Sequence, residues 1–307
     1  MTSLRRFVRR NSRGLGIGIF ILSLILNNLF DFPHIWGQIP LGWVITAVLI
    51  VVLNMHFIPH YWAIVRNWVQ IRAGFKLPDK ENYTCKSDYI LPFAGKWCVL
   101  EGGVTKELSV AWNDRSERFT YFFVTIDDDG NSSKSDDSVI EDYHSFGKDI
   151  LAVADGVVVK VCNKHQDNLI DKTDESINYA GTWNVVGNHI IIQHSKNEYS
   201  CVGNLMRDSI MVKVGDKVKQ GDVIAKCGNS CYVTEEPCIY FHLISSKSFY
   251  LTTSLPIAFT NIIANDSVAF GLAYENERAQ CPTTKGNLEV RGNKSYIGRG
   301  LDVENGT

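Results

Sequence analysis

Two long apolar runs open the chain. Residues 15–32 read LGIGIFILSLILNNLFDF, and residues 41–58 read LGWVITAVLIVVLNMHFI, continuing through Pro59-His60-Tyr61-Trp62 to Val65. As a helix, a run of about 18 residues rises far enough to cross most of a ~30 Å hydrocarbon layer. Asn27 and Asn28 interrupt the first run only near its far end, and Asp31, Pro33, Gly37 and Pro40 mark a short connection. The pattern predicts a transmembrane helical hairpin over residues 15–65, embedded in membrane lipid, behind a basic leader of residues 1–14. Asn27 to Pro33 are bulky and offer no small-residue site of the kind at which a signal peptide is cut, so the first run is expected to stay on the protein.

After a polar, partly basic linker over residues 66–84 the pattern changes to short apolar runs. These are Tyr89–Leu91, Trp97–Leu100, Phe119–Ile126, Val157–Val161, His189–Gln193, Ile210–Val214, Val223–Ala225 and Ile239–Ile244, with Gly, Asn and Asp between them. No long helical period follows Val65. The spacing predicts an all-β domain over residues 85–263. Residues 163–184 form a long polar insertion. Residues 127–137, DDDGNSSKSDD, are acidic but lack the glycine and terminal glutamate spacing of a calcium loop, which makes them a solvated turn. Residues 264–307 are a turn-rich C-terminal tail whose role the pattern does not reveal.

Charge changes the picture at the membrane. The leader carries Arg5, Arg6, Arg9, Arg10 and Arg13, residues 31–40 carry no Lys or Arg, and Arg66, Arg72, Lys76 and Lys80 follow the second run. Positive residues favour the cytoplasmic side, so both ends and the β domain are expected in the cytoplasm, with the extracytoplasmic orientation as the alternative. Trp36, Trp43, Tyr61, Trp62 and Trp68 would lie near the two interfaces. The net charge of −2 gives no global attraction to nucleic acid, and 45% hydrophobic with 21% charged residues is a folded composition. Eight cysteines without a CxxC pair read as buried or free thiols.

Five short words in the β region carry more than pattern. They are Phe146-Gly147-Lys148-Asp149, Ala154-Asp155-Gly156-Val157-Val158, Gly187-Asn188-His189-Ile190-Ile191-Ile192, Val212-Lys213-Val214-Gly215-Asp216-Lys217-Val218 and Cys227-Gly228-Asn229-Ser230. In this order and spacing they resemble the LytM/M23 family of zinc metallopeptidases, which cut peptide cross-links in bacterial cell walls. The resemblance runs from about Tyr89 to Phe259 and implies a LytM/M23-like antiparallel β-sandwich. A catalytic zinc needs three protein ligands and an open position for water, whose pKa it lowers. In the family these ligands are a His, a strand Asp and the second His of a His-x-His motif, and further His residues assist catalysis.

Compared with the family's words, this chain carries other residues at every one of these positions. The first ligand falls at Val110, or at Trp112 if the register slips; the Asp falls at Phe122; and the His-x-His motif falls at Cys238 and Tyr240. The assisting His of the Ala-His-Leu word falls at Asn204. No His lies between His60 and His144, so no shift of register restores the first ligand. Alkyl and phenyl side chains do not bind zinc, and an amide is no base. The resemblance therefore implies a catalytically inactive relative with no cofactor, whose old groove serves as a binding or regulatory surface lined by Trp112, Tyr121, Asn204, Cys238, Tyr240 and His242. The rival reading is an active zinc endopeptidase acting on peptidoglycan cross-links. A partner would be a protein or a cell-wall peptide.

Two other chemistries would use the residue types present. Cys227, Cys231, Cys238 and His242 are spaced for a structural metal site, but Cys238 and His242 are four apart on one strand, about 13 Å, too far for one ion. Cys238 as a nucleophile would need a His partner, and the old cleft assigns none. His144, His165, His189 and His194 read as scattered, satisfied histidines.

Overall fold

Central strands covered on both faces carry unbroken apolar sequence, and this chain builds its sheet from such runs. The computed structural model describes residues 76–135, 139–168, 186–231, 236–249, 251–268, 286 and 288–306, with positions 34–35, 39–40, 65 and 69 before them. The two apolar runs expected to span a membrane lie outside the described residues, as does most of the insertion at 163–184. Among the described residues no helix is long and apolar enough to cross a membrane. The chain divides into two compact units, residues 1–75 and 76–307. In the first, β1 (His34–Ile35) and β2 (Ile39–Pro40) pair antiparallel.

The second unit is all-β among its described residues, apart from one 3-10 turn at Ile140–Asp142. Its strands are β3 (Trp97–Glu101), β4 (Tyr121–Val124), β5 (Asp149–Leu151), β6 (Gly156–Cys162), β7 (His189–Ser195), β8 (Glu198–Gly203), β9 (Lys217–Val218) and β10 (Val223–Lys226). They continue with β11 (Ile239–Ile244), β12 (Ser254–Leu255), β13 (Phe259–Thr260), β14 (Ile262–Asp266), β15 (Glu289–Arg291), β16 (Lys294–Tyr296) and β17 (Leu301–Asn305). Ten of these form one antiparallel sheet in the order β14-β17-β3-β4-β11-β8-β7-β6-β9, with β12 also on β11. β5 pairs with β10, and β13, β16 and β15 form a three-stranded sheet.

The period of two sorts the side chains. Tyr121, Phe123, Ile239, Phe241, Leu243, Val202, Ile190, Ile192, Trp97 and Val99 point to one face. There they form a single core with Ile150, Ile224 and Ala225 of the β5–β10 pair and with Phe259 of β13. Phe122, Val124, Cys238, Tyr240, Ile244, Cys201 and Ile191 point to the other face, which is also buried.

Some segments depart from the sequence expectation. Ile210–Val214 is irregular chain rather than a strand, held to β10 by Met211 N donating to Ile224 O at 2.9 Å; Gly215, at φ 98°, turns the chain at once. Tyr89 makes only an isolated bridge to Phe259. β8 is an added strand with Glu198 buried at its start. Residues 264–307, opaque as sequence, supply β17, which sits inside the main sheet and pairs with both β14 and β3. Arg299, just before it, is 2% exposed and donates to Glu101 Oε2 and Glu107 O, tying the C-terminal segment to β3 and the loop after it.

Candidate functional site

β11 lies between β4 and β8, and this adjacency sets the geometry of the outer face. Tyr240 stands opposite Phe122 on one side and Gly203 on the other, and His242 stands opposite Cys201. Gly203 is required: a Cβ there would fall 2.4 Å from Val186 Cγ1 and 2.6 Å from Val186 O. Val186 thus closes directly onto the floor between β7 and β11.

Phe122, Cys238 and Tyr240 converge. The Phe122 and Tyr240 rings meet edge to face at 5.5 Å, and half-buried Phe122 also packs against the cluster of Cys98, Leu100, Val124, Ile126 and Cys238. The Tyr240 hydroxyl donates to Glu117 Oε2, and burial, reinforced by that carboxylate, holds the phenol's proton far above its ordinary range. His242 stacks edge-on to Tyr240 at 5.1 Å, with Nδ1 3.4 Å from Thr120 Oγ1 and 3.9 Å from Glu117 Oε2. Burial lowers the imidazole's pKa, and Glu117 opposes that shift.

Asn204, which the resemblance places where the family has an assisting His, does structural work. Its Nδ2 donates to Cys238 O at 2.9 Å and its Oδ1 accepts from Cys231 N at 2.8 Å. One side chain thereby clips both ends of the loop between Cys231 and Cys238. Its φ of 60° lies in the left-handed region that Asn tolerates better than most residues.

Two expected site residues stand elsewhere. Tyr121 is not a groove residue: its neighbour Phe122 faces out, so alternation turns Tyr121 into the core, where it stacks on Phe123 and donates to Ile297 O at 3.1 Å. Val110 does not join the cluster either. It is 62% exposed on a turn, because residues 104–119 run as turns rather than as a strand feeding the sheet. Trp112, two residues on, packs against Phe119 at 6.0 Å beneath the Arg118 guanidinium at 4.6 Å.

The donor set does not fit zinc. At the three positions where the resemblance places the ligands, Val110, Phe122 and Tyr240, stand an exposed alkyl group, a phenyl ring, and a buried phenol already bonded to a carboxylate. Among the described residues no three His, Cys, Asp or Glu side chains are close enough together to share an ion. Cys227 lies in the inner core and Cys238 on the outer face, so the four residues with metal-like spacing are split between the two sides of the sheet. Asn204, Cys238, Tyr240 and His242 are each at most 1% exposed, so the face expected as a groove is a filled surface.

The sequence did not single out Glu117, Thr120 or Phe249, which complete this face. Phe249 lies edge-on to His189 at 5.3 Å with Lys160 Nζ 4.2 Å above its ring. A lone Glu in a turn and a Phe in a Ser-rich loop carry no periodic signal.

His189 differs from the satisfied histidine that the sequence suggested. It is 7% exposed, with Nδ1 on Gly187 O and no hydrogen-bond partner for Nε2 among the described residues. Burial pulls its pKa down to about 4. Above pH 6.5 the ring is neutral in both folded and unfolded chains. Between about pH 6.5 and 4 only the unfolded chain takes the proton, so stability falls across that window, by on the order of 3 kcal/mol in total. Urea unfolding from pH 7.5 to 4.5 should show this loss, and His189→Gln should flatten it; an unchanged slope in the variant would count against the assignment.

Residues 141–250 match peptidase family M23. A comparison with curated proteins gives no match. Among solved structures, the catalytic domain of a mutant of the prophage-encoded M23 protein EnpA from Enterococcus faecalis is similar at 14% identity, covering 58% of this chain and 93% of that one, with a TM-score of 0.29. A zinc-containing peptidase from Vibrio cholerae is similar at 16% identity over 58% of this chain and a TM-score of 0.33, and this chain spans only 42% of its length. The SpoIIQ–SpoIIIAH pore-forming complex is similar at 15% identity over 55% of this chain and 89% of that one, with a TM-score of 0.34. The likeness to peptidase family M23 covers residues 141–250 of the 307.

Proposed function

We propose that the chain is a membrane-anchored, non-catalytic M23 domain that acts as a binding or regulatory module. One observation carries this reading: Phe122 and Tyr240 pack ring against ring where the family holds a carboxylate and an imidazole on zinc. Hydrolysis by this family needs a metal-activated water; a phenyl ring offers no donor, and the Tyr240 phenol, rarely a zinc ligand, is buried and bonded to Glu117. The role left to such a domain is recognition of a protein or a cell-wall peptide. The rival, an active zinc endopeptidase, is favoured by the family match alone. Metal analysis of the full-length protein, purified without chelator, should give well under one zinc per chain, and added zinc should elicit no cleavage of peptidoglycan cross-link peptides. One tightly held zinc, lost on Tyr240→Phe, would establish the rival.

The proposal includes an anchor at residues 15–65 and a β domain on the cytoplasmic side, supported by the Arg and Lys flanking both apolar runs. Reporter fusions at residue 80 and at the C-terminus should both be active only in the cytoplasm. Cleavage of the 163–184 insertion by protease added to intact cells would reverse the orientation and make cell-wall peptides the expected partner.

A further inference from the structure

The outer face of β7, β8 and β11 is covered by two loops that also hold each other. Residues 104–119 bring Glu117 onto the Tyr240 hydroxyl and onto Thr120 Oγ1 at 2.9 Å. The loop after β11 brings Phe249 onto His189 and Lys160, into the same cluster as Ile191, Cys201 and Tyr240. Between the loops, Arg115 Nε donates to Thr253 Oγ1 at 2.6 Å, while Ser254 N, donating to Arg115 O at 2.9 Å, and Ser254 Oγ, accepting from Phe119 N at 3.0 Å, hold the first loop to β12. Beneath them Cys201 and His242 are 0% exposed and Tyr240 is 1% exposed.

We infer that this domain keeps its own groove shut, and that the Arg115–Thr253 contact is the latch that sets how often the two loops part. The inference is independent of whether the domain is catalytic. The floor does not need the lid to exist as a sheet: β7, β8 and β11 are paired with one another through their own ladders. The lid itself is mostly turns, and elements with few ladder bonds open locally at a lower free energy than the core beneath them. The Arg115 side chain reaches from the first loop to the Thr253 hydroxyl of the second. Breaking it loosens both loops, because Glu117 and Phe119 follow it by two and four residues.

Buried thiols report the opening. Cys201 lies under the lid, whereas Cys227 lies in the core on the opposite face, 1% exposed. Full-length protein is pulsed with N-ethylmaleimide, and labelling at each cysteine is read by peptide mass spectrometry. Arg115→Ala should raise the labelling rate of Cys201 about tenfold, the effect of losing one hydrogen bond of ordinary net strength, and leave Cys227 unchanged. Thr253→Val should raise it similarly, and the double variant should add little to either. An unchanged Cys201 rate would overturn the latch. So would a parallel rise at Cys201 and Cys227, which would mean global loosening rather than parting of the loops.

Discussion

Replacing Phe122 with aspartate, the residue type the family uses to hold zinc, should destabilise the domain by about 3 kcal/mol and should not create a metal site. The change removes a ring that packs on Tyr240 and on the cluster that includes Cys238, a loss that in a full core costs about 3–5 kcal/mol and here is reduced because Phe122 is only half-buried. It also sets a carboxylate in a half-buried position beside a phenol whose hydroxyl is already engaged by Glu117, and the desolvation of that charge adds to the cost. Zinc could rescue the variant only if further donors closed around it, and Val110, where the resemblance places the first ligand, is exposed on a turn. Urea unfolding with and without added zinc decides the matter, since a ligand that binds only the native state raises the midpoint. Recovery of wild-type stability in zinc would show that the site is one substitution from function, contrary to the non-catalytic reading.

The same face shows what could be read in the sequence and what could not. β11 was legible as Ile239–Ile244 because its residues are β-branched, aromatic or apolar on both sides of the strand. β4, β6 and β7 were legible for the same reason. β8 was not, because Glu198 stands at a core-facing position and breaks the apolar alternation. β17 was hidden because its sequence, LDVEN, alternates a buried acid with apolar residues and follows a turn-rich stretch. The site divides similarly. Convergence of Phe122, Cys238 and Tyr240 follows from strand register, which short motif words locate well. The exposure of Val110, the inward turn of Tyr121 and the arrival of Glu117 and Phe249 depend on loop paths and on face assignment. A shift of one residue in alternation reverses a side chain, and spacing alone does not reveal that reversal.

Glu198, the residue that concealed β8, should prove among the most costly to remove. It is 0% exposed, yet its carboxylate is surrounded by donors. Tyr83 Oη donates to Oε1, Tyr89 Oη donates to Oε2 at 2.8 Å, Lys86 N reaches both oxygens at 3.0 and 3.2 Å, and Ser195 Oγ donates to Oε2 at 3.3 Å. Burial first, and then this carboxylate, raise the pKa of both phenols, so Tyr83 and Tyr89 stay neutral donors at any working pH. The carboxylate thus binds the start of the second unit to β8, and removing it strands two tyrosine hydroxyls and a backbone amide. Leaving buried donors unpaired costs about 1–3 kcal/mol each, so Glu198→Ala should lose about 4 kcal/mol, reduced from the sum by relaxation and water entry. Glu198→Gln keeps the shape and an acceptor oxygen but brings an NH₂ toward the phenols, and it should lose about half as much. In hydrogen exchange, residues 83–89 should lose protection in Glu198→Ala before the β7–β11 ladders do. An Ala variant as stable as the wild type, or one in which all strands lose protection together, would show that this carboxylate is not the clasp of the N-terminal segment.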